Sequence, residues 1–83
     1  MSKLQEMRQQ RGLTQKELEM VSGIKLKTIR SYEQEKRDIN RAELKTLLLL
    51  AMVLRCGIDD LISDEELIRL LQVELIYRKK NSK

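Results

Sequence analysis

Hydrophobic residues recur at helical spacing over residues 14–33, and this stretch predicts two short amphipathic helices joined by a tight turn. Thr14 and Glu17 have the spacing of a capping box, in which each side chain accepts a hydrogen bond from the other residue's backbone N–H. Gly23 would end the first helix, because glycine adopts left-handed backbone angles without a steric cost. The apolar stripe of this helix is predicted at Leu18 and Val21.

The second helix of the pair is predicted from Leu26 to Gln34 and has two contrasting faces. Ile29, Tyr32 and Glu33 fall on one arc, which would pack inward. The opposite arc has two cations, a hydroxyl and an amide, groups that pair with phosphates and with base edges in a DNA major groove. This arc consists of Lys27, Arg30, Ser31 and Gln34. Taken alone, such a charged face is also typical of an ordinary solvated helix.

Two longer elements would complete the core around this pair. A first helix is predicted from Ser2 to Gln10, with Leu4 and Met7 facing inward. Asn40 would cap a long fourth helix that runs to about Arg55 and forms the centre of the core. Its core face comprises Leu44, Leu47, Leu48, Ala51 and Leu54, widened by Leu50 and Val53.

The chain beyond the fourth helix predicts two more helices. Gly57 would end the fourth helix, and Ile58 to Ile62 would form a short fifth one. Ser63 and Glu66 have capping-box spacing, so a final helix would run from Asp64 to about Lys79.

The composition indicates an all-α protein with one small core. The 83 residues are 41% hydrophobic and 36% charged, with no proline and three glycines. The net charge of +4 is concentrated in residues 1–37, which have nine Lys/Arg against five Glu, whereas residues 38–83 have eight of each sign. A basic half attracts polyanions such as DNA, although many other proteins are basic.

Few residues are suited to catalysis or metal binding. The chain has no histidine and Cys56 is its only cysteine, which excludes a zinc site, a Cys-His or Ser-His pair and an internal disulfide. The acidic clusters at 59–60 and 64–66 lie at predicted helix starts, where negative charge complements the helix dipole. We therefore expect no enzyme activity, cofactor, metal or small-molecule substrate, and we interpret Cys56 as a small core residue rather than a redox sensor.

Five sequence elements follow one another over residues 4–62: LQEMRQQRGLTQ, the turn SGI, TIRSYE of the second helix, then LKTLLLLAMVL and CGIDDLI. In this order they resemble the phage repressor and Cro (XRE) type of helix-turn-helix domain. The resemblance implies a compact five-helix, lambda repressor-like DNA-binding domain over residues 1–62. Residues 63–83 would add a C-terminal helix that packs on the domain and dimerises. The implied function is sequence-specific binding of double-stranded DNA by a small transcriptional regulator, a repressor.

The resemblance also implies roles for individual residues. In that family the glutamine that opens the first motif helix binds a phosphate, and outward residues at the start of the second helix read bases. Gln15 would therefore clamp the DNA backbone, Thr28 would contact a phosphate, and the basic loop after the second helix would touch the backbone further along. The residues facing the bases would be Leu26, Lys27 and Ser31. The complete expected DNA-binding set is Gln15, Lys25, Leu26, Lys27, Thr28, Arg30, Ser31, Lys36 and Arg37.

Family members also pair an arginine of the first helix with a glutamate of the recognition helix. Here these residues are Arg8 and Glu33, and such a bidentate pair would fasten the two helices together. Three positions depart from the family pattern. Glu19 replaces a small alanine between the motif helices, Lys25 replaces a serine or threonine cap, and Glu35 replaces a glycine at the end of the recognition helix.

The final helix has more apolar surface than one small domain needs. One stripe is predicted to cover the fourth helix and comprises Leu67, Ile68, Leu71 and Leu75. A second stripe, beyond Glu74 and Arg78, is predicted to form a homodimer interface. It comprises Leu70, Val73 and Tyr77. Alternatively, both stripes are buried between the first and fourth helices of the same chain.

Two alternatives to a self-contained regulator stay open at this point. An antitoxin would add a toxin partner, and a helical interaction module would keep the fold without binding DNA. Glu19 and Glu35 favour the module, whereas Gln15, Lys27 and Arg30 oppose it. We expect a cytoplasmic protein without membrane contact. The chain begins without the apolar segment of a signal peptide, and its longest apolar run is far shorter than the roughly 20 residues that cross a bilayer.

Overall fold

The computed structural model describes residues 2–81, which form five α-helices and two 3-10 turns and contain no strand. The elements are α1 (Lys3–Gln10), α2 (Gln15–Ser22), α3 (Leu26–Glu33), a 3-10 turn (Ile39–Arg41), α4 (Leu44–Leu54), a second 3-10 turn (Ile58–Asp60) and α5 (Glu65–Asn81). The all-α class is confirmed, and α2 and α3 are the predicted pair of short helices.

Local side-chain chemistry starts α2 where the sequence predicts it. The Thr14 hydroxyl accepts a hydrogen bond from the Glu17 N–H at 3.0 Å, and the Glu17 carboxylate accepts one from the Thr14 N–H at 2.9 Å. The Thr14 N–H, and then its hydroxyl, stabilise the carboxylate and so lower the pKa of Glu17. Gly23 ends the helix with a left-handed backbone, at φ 75°. Both ends of α2 are therefore set by local sequence.

The hydrophobic core lies between α4 and the inward faces of α1, α2 and α3. Leu50 and Leu54 of α4 are fully enclosed. The side chains that share this cluster are Leu4, Leu18, Ile24, Ile29, Tyr32, Ala51 and Leu61. Burying a leucine or isoleucine contributes about 1.5–3 kcal/mol, so this cluster is the main source of stability. α4 is the centre of the core, as predicted.

Three side chains predicted to face inward are exposed. Val21 is 57% exposed, because α2 buries the arc of Leu18 and Ser22 instead. Leu44 and Leu48 are 65% and 51% exposed, because the buried arc of α4 is centred further round the helix. That arc consists of Leu47, Leu50, Ala51 and Leu54.

Asn40 does not cap α4, contrary to the prediction. It lies inside the first 3-10 turn, Ala42 after it is extended with ψ 152°, and α4 begins only at Leu44. The Asn40 side-chain oxygen instead accepts hydrogen bonds from the backbone N–H groups of Ser63 at 2.8 Å and Asp64 at 2.9 Å. Asn40 therefore ties the loop after α3 to the start of α5.

The end of α4 also differs from the prediction. Arg55, not Gly57, ends the helix in a left-handed conformation with φ 54°. The Arg11 Nε donates to the Leu54 carbonyl at 2.6 Å and so satisfies one of the free carbonyls at this end. The predicted fifth helix is shortened to the 3-10 turn Ile58–Asp60.

The start of α5 has a different cap from the one predicted. The Asp64 carboxylate accepts hydrogen bonds from the N–H groups of Glu66 at 3.0 Å and Leu67 at 3.1 Å. Asp64 is thus the capping residue, and the capping box between Ser63 and Glu66 is wrong. The N–H of Ser63 is already bound by Asn40.

α5 packs loosely on the rest of the molecule, because none of its residues is buried. Ile68 and Leu71 are partly buried, whereas Leu67 and Leu75 are 38% and 57% exposed. The stripe predicted to cover α4 is therefore covered only in part, and the alternative with both stripes buried in the same chain is wrong. Between residues 2 and 81, no helix has the length and apolar character needed to cross a membrane.

Candidate nucleic-acid interface

α3 presents its two predicted faces in the predicted directions. Ile29 is 0% exposed, and Tyr32 and Glu33 are buried against the domain. Lys27 and Arg30 are exposed on the opposite side. The helix therefore rests on the core through its apolar arc and turns its cationic arc outward, so the cations are free to meet a polyanion.

A shallow surface concavity connects the outward face of α3 with the loop that follows it. Its lining brings together predicted DNA-binding residues and one amide: Leu26, Lys27, Arg30, Ser31, Gln34 and Lys36. The N–H groups of Lys36 and Arg37 both donate to the Ser31 carbonyl, at 2.9 and 3.2 Å, which fixes the loop to α3. Arg37 is exposed but lines a separate cavity beside the start of α1.

The remaining predicted residues of α3 are less open. Lys25 is exposed at the helix start, whereas Leu26, Thr28 and Ser31 are partly buried. The Ser31 hydroxyl donates to the Lys27 carbonyl at 2.9 Å. Its proton is used within the helix, and its oxygen is left as an acceptor.

The ion pair between α1 and α3 is present and bidentate. Arg8 Nε donates to Glu33 Oε2 at 2.7 Å, and the second Arg8 nitrogen donates to Glu33 Oε1 at 3.0 Å. The side chains are only 10% and 3% exposed. A third nitrogen of Arg8 donates to the Leu13 carbonyl at 2.8 Å. The hydrogen bonds with Glu33 outweigh the effect of burial and raise the pKa of Arg8.

Gln15 links this buried pair to the protein surface. Its side-chain nitrogen donates to Glu33 Oε1 at 3.0 Å, and its side-chain oxygen lies 3.4 Å from Arg30 Nε. Because the amide has two N–H groups, one is left to donate to a phosphate. A chain of contacts thus runs from Arg8 in the core through Glu33 and Gln15 to Arg30 on the outward face.

Glu19 has a structural role that the sequence reasoning missed. Its carboxylate accepts a hydrogen bond from the Leu26 N–H, the first amide of α3, at 2.8 Å. Lys25 precedes that helix and makes no side-chain capping bond. A lysine side chain has no hydrogen-bond acceptor and cannot cap a helix start. The lysine at position 25 was therefore the feature of the sequence that indicated a cap from another residue.

Glu35 takes the conformation that the family glycine would take. Its φ is 60°, in the left-handed region, and its N–H donates to the Tyr32 carbonyl at 3.1 Å. The turn after α3 is therefore formed despite the substitution, at a steric cost of about 1–2 kcal/mol.

Cys56 is partly buried and packs against the hydrophobic core. Burial, followed by the negative charge of Asp60, raises the pKa of its thiol. Over residues 2–81, the structure contains no cluster of three or more His, Cys, Asp or Glu side chains arranged to hold a metal ion.

Comparison with known families agrees with this geometry. A family model described as helix-turn-helix matches residues 4–61. The chain therefore belongs to the Cro/repressor-like (XRE) family of helix-turn-helix DNA-binding domains. This family consists of DNA-binding transcription regulators and is not an enzyme family. No curated protein and no solved structure gives a significant match to the chain.

Proposed function

We propose that this protein is a sequence-specific repressor that inserts α3 into the major groove of double-stranded DNA. The observation that supports this most strongly is that α3 is fastened to the core on one side and exposed to solvent on the other. Glu33 is locked to Arg8 on its inner side, while Lys27 and Arg30 are exposed on its outer side. A major groove about 12 Å wide admits one helix, and a rigidly held helix keeps its side chains in register with the bases.

The chemistry of the face suggests a division of roles. Lys27 and Arg30 carry donors that suit the O6 and N7 acceptors of guanine, and Leu26 offers an apolar surface for a thymine methyl group. Gln15 and Thr28 are assigned to phosphates, together with the exposed cations around α3. Those cations are Lys25, Lys36 and Arg37.

Selection from random duplex oligonucleotides with the purified protein tests sequence specificity, and enrichment of a defined motif is the expected result. On that motif, Lys27→Ala should weaken binding by about 1–3 kcal/mol if the lysine reads a base. Changing Lys36 or Arg37 to alanine should weaken all sequences alike and reduce the salt dependence by roughly one unit per phosphate contact. Failure to enrich any motif would contradict sequence-specific binding.

We also propose that the repressor acts as a homodimer through α5. Helix-turn-helix proteins read two half-sites about one helical turn apart, so a two-fold dimer doubles the contacts and sets their spacing. The predicted interface residues Leu70, Val73 and Tyr77 are 53%, 44% and 66% exposed. A contiguous exposed apolar surface of this kind commonly marks an interaction site.

A groove beside this surface supports the same interface. It has a volume of about 250 Å³ and lies between the start of α4 and the first half of α5. Leu44 and Leu70 line it, and both side chains are more than half exposed. Leu48 lies one turn further along the same side of α4, so a second copy of the chain could cover apolar residues of both helices.

Sedimentation of the Leu70→Glu, Tyr77→Glu variant beside the unmodified chain tests the dimer. The expected result is a dimer for the unmodified chain and a monomer for the variant. Gln72→Glu, Lys79→Gln is the matched control, because it changes the net charge by the same −2 at exposed positions on the other side of α5. An unmodified chain that stays monomeric at tens of micromolar, free and on DNA, would contradict the proposal.

The same exposed surface leaves room for a second candidate function, that of an antitoxin. Met52 on α4 is 72% exposed in addition to the apolar residues of α5, and a toxin could cover either surface. Co-expression with the product of a neighbouring gene would distinguish a stable two-protein complex from a homodimer.

For either function we propose that the protein acts on DNA in the cytoplasm. A promoter-reporter assay would decide between repression and activation.

A further inference from the structure

We infer that Glu19 is a positioning residue for the recognition helix, because it caps α3 from the neighbouring helix. The Leu26 N–H is one of the four backbone donors that every α-helix leaves without a partner at its start. In this protein its partner is the Glu19 carboxylate, at 2.8 Å. The residue that would normally supply a cap, Lys25, makes no such bond.

Glu19 also holds the other end of the turn. Its backbone carbonyl accepts from the Gly23 N–H at 2.9 Å, which closes the last turn of α2. One residue therefore binds the chain on both sides of the segment that joins the two helices. At the end of α2 the Ser22 hydroxyl accepts from the Ile24 N–H at 3.1 Å, and Ile24 is buried. The direction in which α3 leaves the turn is set by these contacts.

The carboxylate suits this position electrostatically. The start of a helix has a partial positive charge, so an anion is favoured there over a neutral group. Glu19 is partly buried, and this reduces the competition of water for the hydrogen bond. The residue that departs from the family's small alanine thus compensates for the residue that departs from its serine or threonine cap.

The consequence for DNA rests on the proposed function of α3. The first turn of this helix holds Leu26, Lys27 and Thr28, which are the residues assigned to bases and phosphate. Loss of the bond between Glu19 and Leu26 would let this turn fray and move those side chains relative to the groove. We expect the loss to affect specific binding more than non-specific binding, because only the former depends on register.

The test compares Glu19→Ala with Glu19→Gln. Both variants lose one negative charge, so their general attraction to DNA changes equally, but glutamine keeps an oxygen that can accept from Leu26. We expect Glu19→Ala to bind the selected DNA site about fivefold more weakly than Glu19→Gln, the effect of losing a typical cap. On random DNA the two variants should bind alike.

A second substitution checks that capping is the cause. When Lys25→Ser is introduced into both variants, the serine hydroxyl can accept from the N–H of Lys27 or Thr28 and so stabilise the same first turn of α3. The fivefold ratio should then fall towards one. Measuring the ratio in this way cancels the charge lost with Lys25. A ratio that stays at five in the presence of Lys25→Ser would contradict fraying of the first turn as the way in which Glu19 affects DNA binding.

Amide hydrogen exchange tests the cap in the free protein, independently of DNA. Exchange of the Leu26 N–H should accelerate about tenfold in Glu19→Ala, as expected for loss of a hydrogen bond to a charged group, while the buried Leu50 amide stays unchanged. Wild-type exchange at Leu26 in that variant would overturn the capping. If exchange at Leu26 accelerates in Glu19→Ala but the unmodified protein does not bind DNA, the capping role of Glu19 is supported and the proposed function is contradicted.

Discussion

Breaking the ion pair between Arg8 and Glu33 on one side only should destabilise the domain severely. Arg8→Met or Glu33→Leu leaves an uncompensated charge at a site where the two side chains are 10% and 3% exposed, and such a change typically costs about 3–5 kcal/mol. At about 0.05–0.15 kcal/mol per residue, a domain of this length has a stability of roughly 4–12 kcal/mol. Either single change would therefore remove a large part of it.

The double variant Arg8→Met, Glu33→Leu should recover most of this loss. An apolar pair of similar volume avoids the cost of burying two charges, so its effect on stability can be close to neutral. Gln15 would still lack the Glu33 oxygen to which it donates in the intact protein. We therefore expect a stable double variant whose affinity for DNA stays reduced.

Urea denaturation followed by circular dichroism measures the coupling between the two changes. The control is the exposed pair Glu74 and Arg78, whose charged groups lie 3.3 Å apart. Comparison of Glu74→Gln, Arg78→Gln and the double variant should give a coupling energy of only about 0.3–0.5 kcal/mol. If a single variant fails to fold, a folded double variant still demonstrates the coupling. Simple additivity of two large single losses would refute the reasoning.

Two further predictions concern single residues. Glu35→Gly should stabilise the domain by about 0.5–1 kcal/mol, because glycine relieves the left-handed strain at φ 60° but loses part of that gain to its greater backbone entropy in the unfolded state. The control Glu35→Ala keeps a Cβ, so its denaturation midpoint should not rise. Burial raises the pKa of the Cys56 thiol, and the thiolate is the reactive form. Cys56 should therefore react with a thiol reagent more slowly than an unstructured cysteine at neutral pH and reach its full rate only at more alkaline pH. Equal rates for the two thiols across the pH range would contradict this.

Sequence alone was sufficient where the determining contacts are local. The capping box of Thr14 and Glu17 and the left-handed Gly23 involve residues within one turn, so both ends of α2 were predicted correctly. The faces of α3 follow from helical periodicity, because its apolar and cationic residues fall on opposite arcs. The motif that positions the candidate DNA-binding residues was therefore within reach of sequence reasoning.

The predictions failed where the partner is remote in sequence or where periodicity gives no preference. Asn40 binds backbone groups 23 and 24 residues away, and no local pattern reveals that. α4 is almost entirely apolar, so its sequence alone could not exclude Leu44 and Leu48 from the buried arc. Glu19 reaches Leu26 seven residues away only because the turn brings α2 and the start of α3 together.

The most direct test of the central claim is the affinity of the Lys27→Ala, Arg30→Ala double variant for the selected duplex. Fluorescence anisotropy at fixed salt would compare it with Lys45→Ala, Arg69→Ala, which removes the same two charges from exposed positions on α4 and α5. With α3 in the major groove, the first variant should lose most of its preference for the selected site over random DNA, and the control should keep it. Unchanged binding of the selected site by the first variant would show that this face of α3 does not read DNA.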